Sequence, residues 1–210
     1  MLWALVPLKQ LTRSKQRLGA VLGPEERKGL ALAMARDVLT VIRHHAAIDG
    51  VLLVSRAPEA EKIAEECEVE LFRESEHADL SQALTEASRY VVSQHGASTT
   101  LVIPSDVPLI RDDDIAAVLA QHHSITVVPD VSGEGTNALL LSPPDIIAYA
   151  FGEQSFRHHT EFSSAAGVTP IIVKNLRMSQ DIDDPDDLVQ LRTDITRSAT
   201  RDFLQSSGLA

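Results

Sequence analysis

The chain has 210 residues, of which 44% are hydrophobic, and a formal net charge of -11. This length is sufficient for one compact α/β domain with a single core. The acidic charge is spread over both halves of the chain and leaves no basic face, which excludes a nucleic acid as the main partner. Small anionic substrates stay open, because a local basic pocket or a bound metal can override the overall sign.

Two sequence features bear on the compartment. The single cysteine, Cys67, excludes an intrachain disulfide framework and fits a reducing compartment. The apolar stretch 1–8 lacks the basic region, the length and the cleavage site of a secretory signal. No later apolar run approaches the roughly 20 residues that a membrane helix needs. We therefore expect a cytoplasmic protein with no membrane partner.

Apolar runs of strand length alternate with amphipathic segments of helix length along the chain. This alternation is typical of βαβ units around a mostly parallel sheet. The predicted strands, in chain order, are 2–8, 50–55, 69–73, 100–104, 124–129, 138–142 and 169–173. The predicted helices are 24–45, 57–68, 79–94, 112–122, 155–166 and 185–192. We therefore predict a single-domain, Rossmann-like α/β fold over residues 1–210, with a mixed sheet flanked by helices and a loosely docked tail from about residue 197.

A basic loop follows the first predicted strand. It contains four cations within nine residues of an otherwise acidic chain: Lys9, Arg13, Lys15 and Arg17. The carboxyl ends of strands in an open α/β sheet face the ligand crevice, so we predict that this loop binds phosphate. A solvated surface loop is the alternative. Because the loop has no glycine-rich motif, its side chains would have to bind the phosphates.

Three aspartates are candidate metal ligands. Asp106 follows the fourth predicted strand, where it is explained equally well as a turn residue or as a ligand. Asp181 and Asp183 flank Ile182 in an extended segment, so both carboxylates should point to one face. Two carboxylates about 4 Å apart repel by roughly 4 kcal/mol at an effective dielectric near 20, and a cluster of three therefore requires a cation. Mg²⁺ suits such oxygen ligands, whereas the adjacent histidine pairs do not suit zinc.

Two further segments offer donors for an anion. Thr136 and Asn137 follow two glycines and precede a predicted strand, although a hairpin turn would explain the same residues. Ser155 is predicted to cap a helix whose N-terminus, with Arg157 and His159, can receive an anion. Capping alone would explain Ser155 but not the clustered donors.

The order of these motifs resembles the CofC family of guanylyltransferases in coenzyme F-420 biosynthesis. The resemblance covers about residues 2–188 and rests on the segments 6–9, 14–18, 104–108, 135–138, 155–159 and 181–185. The family includes enzymes for 2-phospho-L-lactate, phosphoenolpyruvate and 3-phospho-D-glycerate. The resemblance implies a nucleotidyltransferase domain that transfers GMP from GTP to a phosphorylated three-carbon acid and releases pyrophosphate.

The resemblance also implies a role for each motif. The metal ligands for Mg²⁺ would be Asp106, Asp181 and Asp183. The catalytic residues would be Lys9, Arg13, Lys15 and Asp106, with the three cations meeting the triphosphate. The other nucleotide contacts would come from Pro7, Leu8 and Ser81. The acceptor side would be lined by Thr136, Asn137, Ser155 and His159.

One segment departs from the family pattern. Relatives commonly have Leu-Asn-x-Ala-Leu near the guanine pocket, whereas this chain has Leu-Ser-Gln-Ala-Leu at 80–84. The departure leaves the base contact of Ser81, and strict preference for GTP, open. The acceptor also stays open, although Ser155 and Phe156 favour 2-phospho-L-lactate and 3-phospho-D-glycerate over phosphoenolpyruvate.

Other functions stay open as well. A nucleotidyltransferase for a sugar phosphate or molybdopterin would usually have a glycine-rich first loop, which this chain lacks. A glycosyltransferase would normally pair Asp-x-Asp at the end of a middle strand. A non-catalytic nucleotide-binding domain would need the basic loop but not three converging carboxylates. The oligomeric state is open, and a homodimer is one outcome.

Overall fold

A computed structural model describes residues 1–9, 15–195 and 198–208. In this part of the chain seven strands form one sheet with the order β3-β2-β1-β4-β6-β5-β7. The strands are β1 (Leu2–Pro7), β2 (Gly50–Val54), β3 (Glu70–Phe72), β4 (Thr99–Val102), β5 (Ile125–Pro129), β6 (Thr136–Leu141) and β7 (Ile171–Ile172). The helices are α1 (Pro24–His44), α2 (Ala60–Glu66), α3 (Leu80–His95), α4 (Asp112–Gln121), α5 (Ser155–Ala165), α6 (Leu176–Ser179), α7 (Pro185–Asp194) and α8 (Ala199–Ser206). A 3-10 helix spans Gln16–Ala20.

The sheet is mixed and mostly parallel, which confirms the predicted fold class. β1 pairs in parallel with β2 and β4, β2 with β3, and β5 with β7, whereas β6 is antiparallel to β4 and β5. In the antiparallel pair, Val102 at the end of β4 lies opposite Leu139 of β6. The first residues of β6 therefore lie at the edge where β1 and β4 end, which is the edge that binds ligands in open α/β sheets.

Helices cover both faces of the sheet, and this explains why β1 is apolar throughout. In β1, Ala4 and Val6 belong to the apolar cluster on the face covered by α1, α2 and α4. Trp3 and Leu5 belong to the cluster on the opposite face, with α3. Successive side chains of a strand point to opposite faces, so a strand covered on both sides needs apolar residues at every position.

A third apolar cluster joins the 3-10 helix, α1, α7 and α8. It contains Leu18, Leu30, Ile182 and Leu204. Leu18 and Ile182 are both fully buried, so their packing brings the end of the basic loop close to the acidic segment before α7. The tail for which we expect loose docking contains α8, whose Leu204 is only 1% exposed.

Every predicted strand and helix is present in the described residues, with ends that differ by at most three positions. The 57–68 prediction begins too early, because Ser55 Oγ accepts a hydrogen bond from the Ala57 N–H and keeps that turn out of α2. Helix α6 and the 3-10 helix are not predicted, since each is too short to show a helical period. No helix in the described ranges is long and apolar enough to cross a membrane.

Candidate active site

Three carboxylates converge at the edge where β1 and β4 end. Asp106 lies in the loop after β4, and Asp181 and Asp183 lie in the segment before α7. Oxygen atoms of the three side chains lie within 4.8 Å of one another. The two segments are joined by the backbone, because the N–H of Ile182 donates to the carbonyl of Asp106 over 3.0 Å. The structure thus brings together the three aspartates that the sequence singles out.

The segment before α7 orients two of these carboxylates. Ile182 is fully buried, which turns its neighbours Asp181 and Asp183 towards the ligand edge. Asp184 then caps α7, because its carboxylate accepts hydrogen bonds from the N–H groups of Asp186 and Asp187. This cap confirms the predicted helix start and sets the point at which the extended segment must end.

Lys15 lies between two of the three carboxylates. Its Nζ atom is 2.6 Å from Asp106 Oδ2 and 2.6 Å from Asp183 Oδ1, and its side chain is only 6% exposed. Burial lowers the pKa of Lys15, but the two carboxylates outweigh that effect and the net pKa is raised. The predicted contact of Lys15 with a triphosphate stays a prediction, and in the structure its ammonium pairs with two of the carboxylates.

The remaining cations stand around the same cluster. Burial raises the pKa of Asp183, but the charges of Lys15, Lys9 and Arg17 lower it by more. The net pKa of Asp183 is therefore lowered. Lys9 and Arg17 are exposed, which suits groups that would meet a phosphate. Arg13, which completes the predicted set, lies outside the described residues.

Asp181 differs from its two neighbours. Burial raises its pKa, the hydrogen bond from Asn137 opposes this, and the charges of Asp106 and Asp183 raise it again. Among the described residues, Lys15 is the one ion-pair partner of the three carboxylates. Hard oxygen ligands at this separation fit Mg²⁺, so the donor set suits the predicted ion.

Asn137 contacts the acidic cluster. Its Nδ2 atom donates to the Ser179 carbonyl over 2.9 Å and to Asp181 Oδ1 over 3.0 Å. The predicted acceptor contact of Asn137 stays a prediction, and its amide nitrogen is bonded within the protein. The sequence shows a donor beside a strand but not which acceptor lies opposite it.

Thr136, Ser155 and His159 form a buried polar group between β6 and α5. The Thr136 N–H donates to Ser155 Oγ over 2.9 Å, and Thr136 Oγ1 lies 2.9 Å from His159 Nδ1. The prediction that Ser155 caps α5 is wrong. The cap position is held by Gln154, whose side chain makes no capping hydrogen bond. His159 is fully buried and lowered in pKa to about 4, by burial first and then by the charge of His158.

Arg157 is not part of this group. Its Nε atom pairs with Glu161 Oε1 over 2.7 Å, one turn further along α5, and its side chain is 68% exposed. The prediction that Arg157 receives an anion at this helix start stays a prediction. An i,i+4 pair of opposite charge on an exposed face is the ordinary alternative for such an arginine.

An open cleft of about 630 Å³ lies beside the start of α3. Its lining includes Ser75, Ser81, Gln82 and Arg89, but none of the three aspartates. Ser81 Oγ accepts a hydrogen bond from the Phe151 N–H over 2.9 Å, so this side chain already links α3 to the segment before α5. The sequence shows Gln82 and Arg89 only as positions of an amphipathic helix, which is why the prediction omits them.

Of the other predicted nucleotide contacts, Pro7 ends β1 and Leu8 continues its ladder. The Leu8 N–H donates to the Val54 carbonyl over 3.0 Å, and the Leu8 side chain is buried in the core. Leu8 can offer a ligand only its backbone at this edge. Leu8 precedes the exposed Lys9, so the chain leaves the core at this edge of the sheet.

Comparison with known proteins identifies relatives over the whole chain. The family model described as "Guanylyl transferase CofC like" matches residues 2–210. The phosphoenolpyruvate guanylyltransferase of Rubrobacter xylanophilus is 37% identical over 192 residues, which is 90% of this chain and 92% of that protein. The 2-phospho-L-lactate guanylyltransferase of Methanobrevibacter ruminantium is 28% identical over 99% of this chain and 92% of its own length.

Solved structures of low sequence identity share the fold. A nucleotidyl transferase from Methanothermobacter thermautotrophicus superposes with a TM-score of 0.67 at 16% identity and covers 98% of this chain and 99% of its own. The 4-diphosphocytidyl-2C-methyl-D-erythritol synthase of Anaerococcus prevotii has a TM-score of 0.63 at 12% identity, with 98% of each chain covered. These two structures support the fold alone. The family match over nearly the full length, together with the relative at 37% identity, shows that this chain belongs to the CofC-like guanylyl transferase family.

Proposed function

We propose that the protein transfers GMP from GTP to a phosphorylated three-carbon acid and releases pyrophosphate, as a step of coenzyme F-420 biosynthesis. The observation that carries the proposal is the convergence of three carboxylates with Lys15 at the ligand edge of the sheet. A non-catalytic nucleotide-binding domain has no need of such a cluster, because isolated carboxylates at this separation repel.

Asp106, Asp181 and Asp183 are the residues that would hold Mg²⁺. A bound Mg²⁺ supplies charge neutralisation for the phosphate oxygens of the two substrates. Lys15 pairs with two of these carboxylates. If a metal took its place between them, the Lys15 ammonium would be released to pair with the triphosphate. Lys9 and Arg17 are exposed beside the cluster and would add positive charge for the triphosphate.

The proposed reaction is an in-line displacement. An oxygen of the acceptor phosphate attacks the α-phosphorus of GTP, a new P–O bond forms, and the bond to the bridging oxygen breaks as pyrophosphate leaves. The attacking phosphate oxygen is already ionised at neutral pH, so no general base is needed. The protein contributes positioning and charge, which are the main sources of rate in such transfers.

Thr136 and Ser155 are the proposed donors to the acceptor. Both hydroxyl groups lie at the start of β6 and α5, close to the acidic cluster that Asn137 joins to β6. The cleft beside Ser81 and Gln82 is the proposed place for the guanine base. Ser81 stands where relatives commonly have asparagine, and its Oγ already accepts a hydrogen bond from Phe151. Contacts with the base would therefore come from the backbone of this segment and from Gln82.

The names of the relatives guide the choice of acceptor. The relatives from Rubrobacter xylanophilus and Sphaerobacter thermophilus, at 37% and 35% identity, are phosphoenolpyruvate guanylyltransferases. Those named for 2-phospho-L-lactate are 28% identical or less. Phosphoenolpyruvate is therefore the first acceptor to test, ahead of 2-phospho-L-lactate and 3-phospho-D-glycerate, which reverses the order expected from Ser155 and Phe156.

A direct competition assay tests this function. The protein is incubated with GTP, Mg²⁺ and an equal mixture of the three acids, and mass spectrometry identifies the guanylylated product. We expect one acid to be guanylylated with release of an equal amount of pyrophosphate. Neither product nor pyrophosphate with all three acids would overturn the proposal and favour a nucleotide-binding domain. Replacing GTP by ATP or CTP in the same assay measures the base preference.

A further inference from the structure

His159 is fully buried, and both of its ring nitrogens have partners. Nε2 accepts a hydrogen bond from the Ala150 N–H over 3.1 Å, and Nδ1 lies 2.9 Å from Thr136 Oγ1. The rings of Phe151 and His159 pack edge to face, with 4.9 Å between their centroids. A substrate therefore has no free atom of His159 to bind, and any part that this histidine plays must pass through a neighbour.

The backbone partner decides which nitrogen carries the proton. An amide N–H can only donate, so Nε2 must be the unprotonated nitrogen. The neutral ring has one proton, and it must then lie on Nδ1 and be donated to Thr136 Oγ1. The lowered pKa of His159 keeps the ring neutral near pH 7, so this arrangement of the protons holds at that pH.

The histidine in turn decides what the threonine can do. Thr136 Oγ1 accepts from Nδ1, so its own proton is left to donate elsewhere, and no acceptor for it lies among the described residues. Ser155 Oγ likewise accepts from the Thr136 N–H, which leaves its proton for another acceptor. Two neighbouring hydroxyl groups, on Thr136 and Ser155, thus each keep a proton to donate. Such a pair suits an anion, which can only accept.

We propose that His159 is a positioning residue that acts through Thr136, holding the threonine hydroxyl as a hydrogen-bond donor to the carboxylate or phosphate of the acceptor. The inference rests on the proposed function for the identity of the acceptor, but not for the arrangement of the protons. It gives the buried histidine a part in acceptor binding without any contact with the acceptor. The nucleotide side of the site should not sense it.

The first test concerns the proton and needs no substrate. Nuclear magnetic resonance of protein labelled with ¹⁵N-histidine distinguishes the two neutral tautomers by their ring nitrogen shifts. We expect the signal of His159, assigned by its absence in His159→Leu, to show a protonated Nδ1 at pH 7. A protonated Nε2, or a doubly protonated ring, would overturn the inference whatever the enzyme's activity.

The second test is a double-mutant cycle with the acceptor that wild type uses. Thr136→Val should raise the KM for the acceptor by about tenfold to a hundredfold, the range for a lost hydrogen bond to a charged group. His159→Leu should raise the same KM to a similar extent, with the KM for GTP unchanged. The double variant should be no worse than Thr136→Val alone. Additive losses, or equal changes in both KM values, would overturn the inference.

Two further variants separate positioning from packing. His159→Asn keeps an amide N–H near the position of Nδ1 and should retain more acceptor affinity than His159→Leu; equal losses would overturn the inference. The matched control is His122→Leu. His122 also bonds two hydroxyl groups, those of Thr126 and Ser142, each over 2.9 Å, but at the opposite end of the sheet. The His122→Leu variant should keep the KM values for the acceptor and for GTP at the wild-type level.

The wild-type assay separates the two proposals. If wild type guanylylates none of the three acids, the proposed function fails, and the tautomer measurement still decides the arrangement of the protons. If wild type is active and the cycle is additive, the proposed function stands and the role of His159 fails. Thermal unfolding of each variant shows that it is folded before its kinetics are read.

Discussion

Asn137 donates a hydrogen bond from Nδ2 to Oδ1 of Asp181 over 3.0 Å, and the same nitrogen donates to the Ser179 carbonyl over 2.9 Å. Asn137 is only 7% exposed. One residue of β6 therefore orients a carboxylate that comes from a segment more than forty positions away in the chain. The outer partners of metal ligands commonly set the direction of the ligand atom.

Removal of this amide should weaken metal binding. In Asn137→Ala we expect the affinity for Mg²⁺ to fall by about tenfold to a hundredfold, because Asp181 loses the donor that orients it. Isothermal titration with Mg²⁺ measures the change directly. The control is Asn175→Ala, which removes a 2.7 Å hydrogen bond from Asn175 to Asp114, outside the acidic cluster. Equal Mg²⁺ affinity in Asn137→Ala and wild type would contradict the role of Asn137.

The charge of Asp106 should be needed for turnover. Asp106→Asn keeps the size of the side chain and removes one of the three negative charges. We expect pyrophosphate release to fall by about two to three orders of magnitude, because charge stabilisation in the transition state is lost. The far-ultraviolet circular dichroism should stay unchanged. Asp112→Asn, on a side chain that is 74% exposed, should keep near-normal turnover; near-normal turnover in Asp106→Asn would exclude Asp106 as a ligand.

Lys15 should stabilise the protein when no metal is present. Lys15→Met keeps the length of the side chain but leaves the three carboxylates without their buried cation. In EDTA we expect the free energy of unfolding to fall by on the order of 3 kcal/mol, since carboxylates at this separation repel. Millimolar Mg²⁺ should recover more stability in the variant than in wild type, because the ion replaces the missing charge.

Urea unfolding with EDTA and with Mg²⁺ measures both effects. Lys28→Met is the matched control, since Lys28 pairs with Glu59 over 2.5 Å on the surface. A small change that is independent of Mg²⁺ is expected for this variant. Full stability of Lys15→Met in EDTA would show that the ammonium is not what balances the carboxylates.

The buried His159 should make stability depend on pH. The pKa of His159 in the folded protein is lowered to about 4, from an ordinary value of 6.5 for a histidine. The unfolded chain therefore takes up the proton first as the pH falls, and stability is lost between about pH 6.5 and pH 4. The loss should reach about 3 kcal/mol, the free energy of a shift of this size.

Urea unfolding of wild type and His159→Leu at a series of pH values measures this effect. The difference between the two chains at each pH removes the contribution of the groups that they share. We expect that difference to shrink as the pH falls from 6.5 to 4. A difference that stays constant with pH would show that the histidine is not held neutral in the folded protein.

The positions of the strands and long helices could be predicted from the sequence because their signals are local. The apolar residues of β1 and the Pro185 start of α7 with its Asp184 cap are patterns within a few positions of the chain. The antiparallel direction of β6 could not be predicted in this way. It depends on pairing with β4 and β5, and the same apolar run would serve a strand of either direction.

The chemistry of the site can be predicted from the sequence: a basic loop, three aspartates in two segments, and donors at the starts of β6 and α5. Which of these groups contact one another depends on the tertiary packing. Lys15 meets Asp106 and Asp183, since the packing of Leu18 with Ile182 brings their segments together. Asn137 and His159 likewise act on Asp181 and Thr136. Hydrogen bonds and ion pairs form over about 3 Å in space, and the local pattern along the chain does not contain that distance.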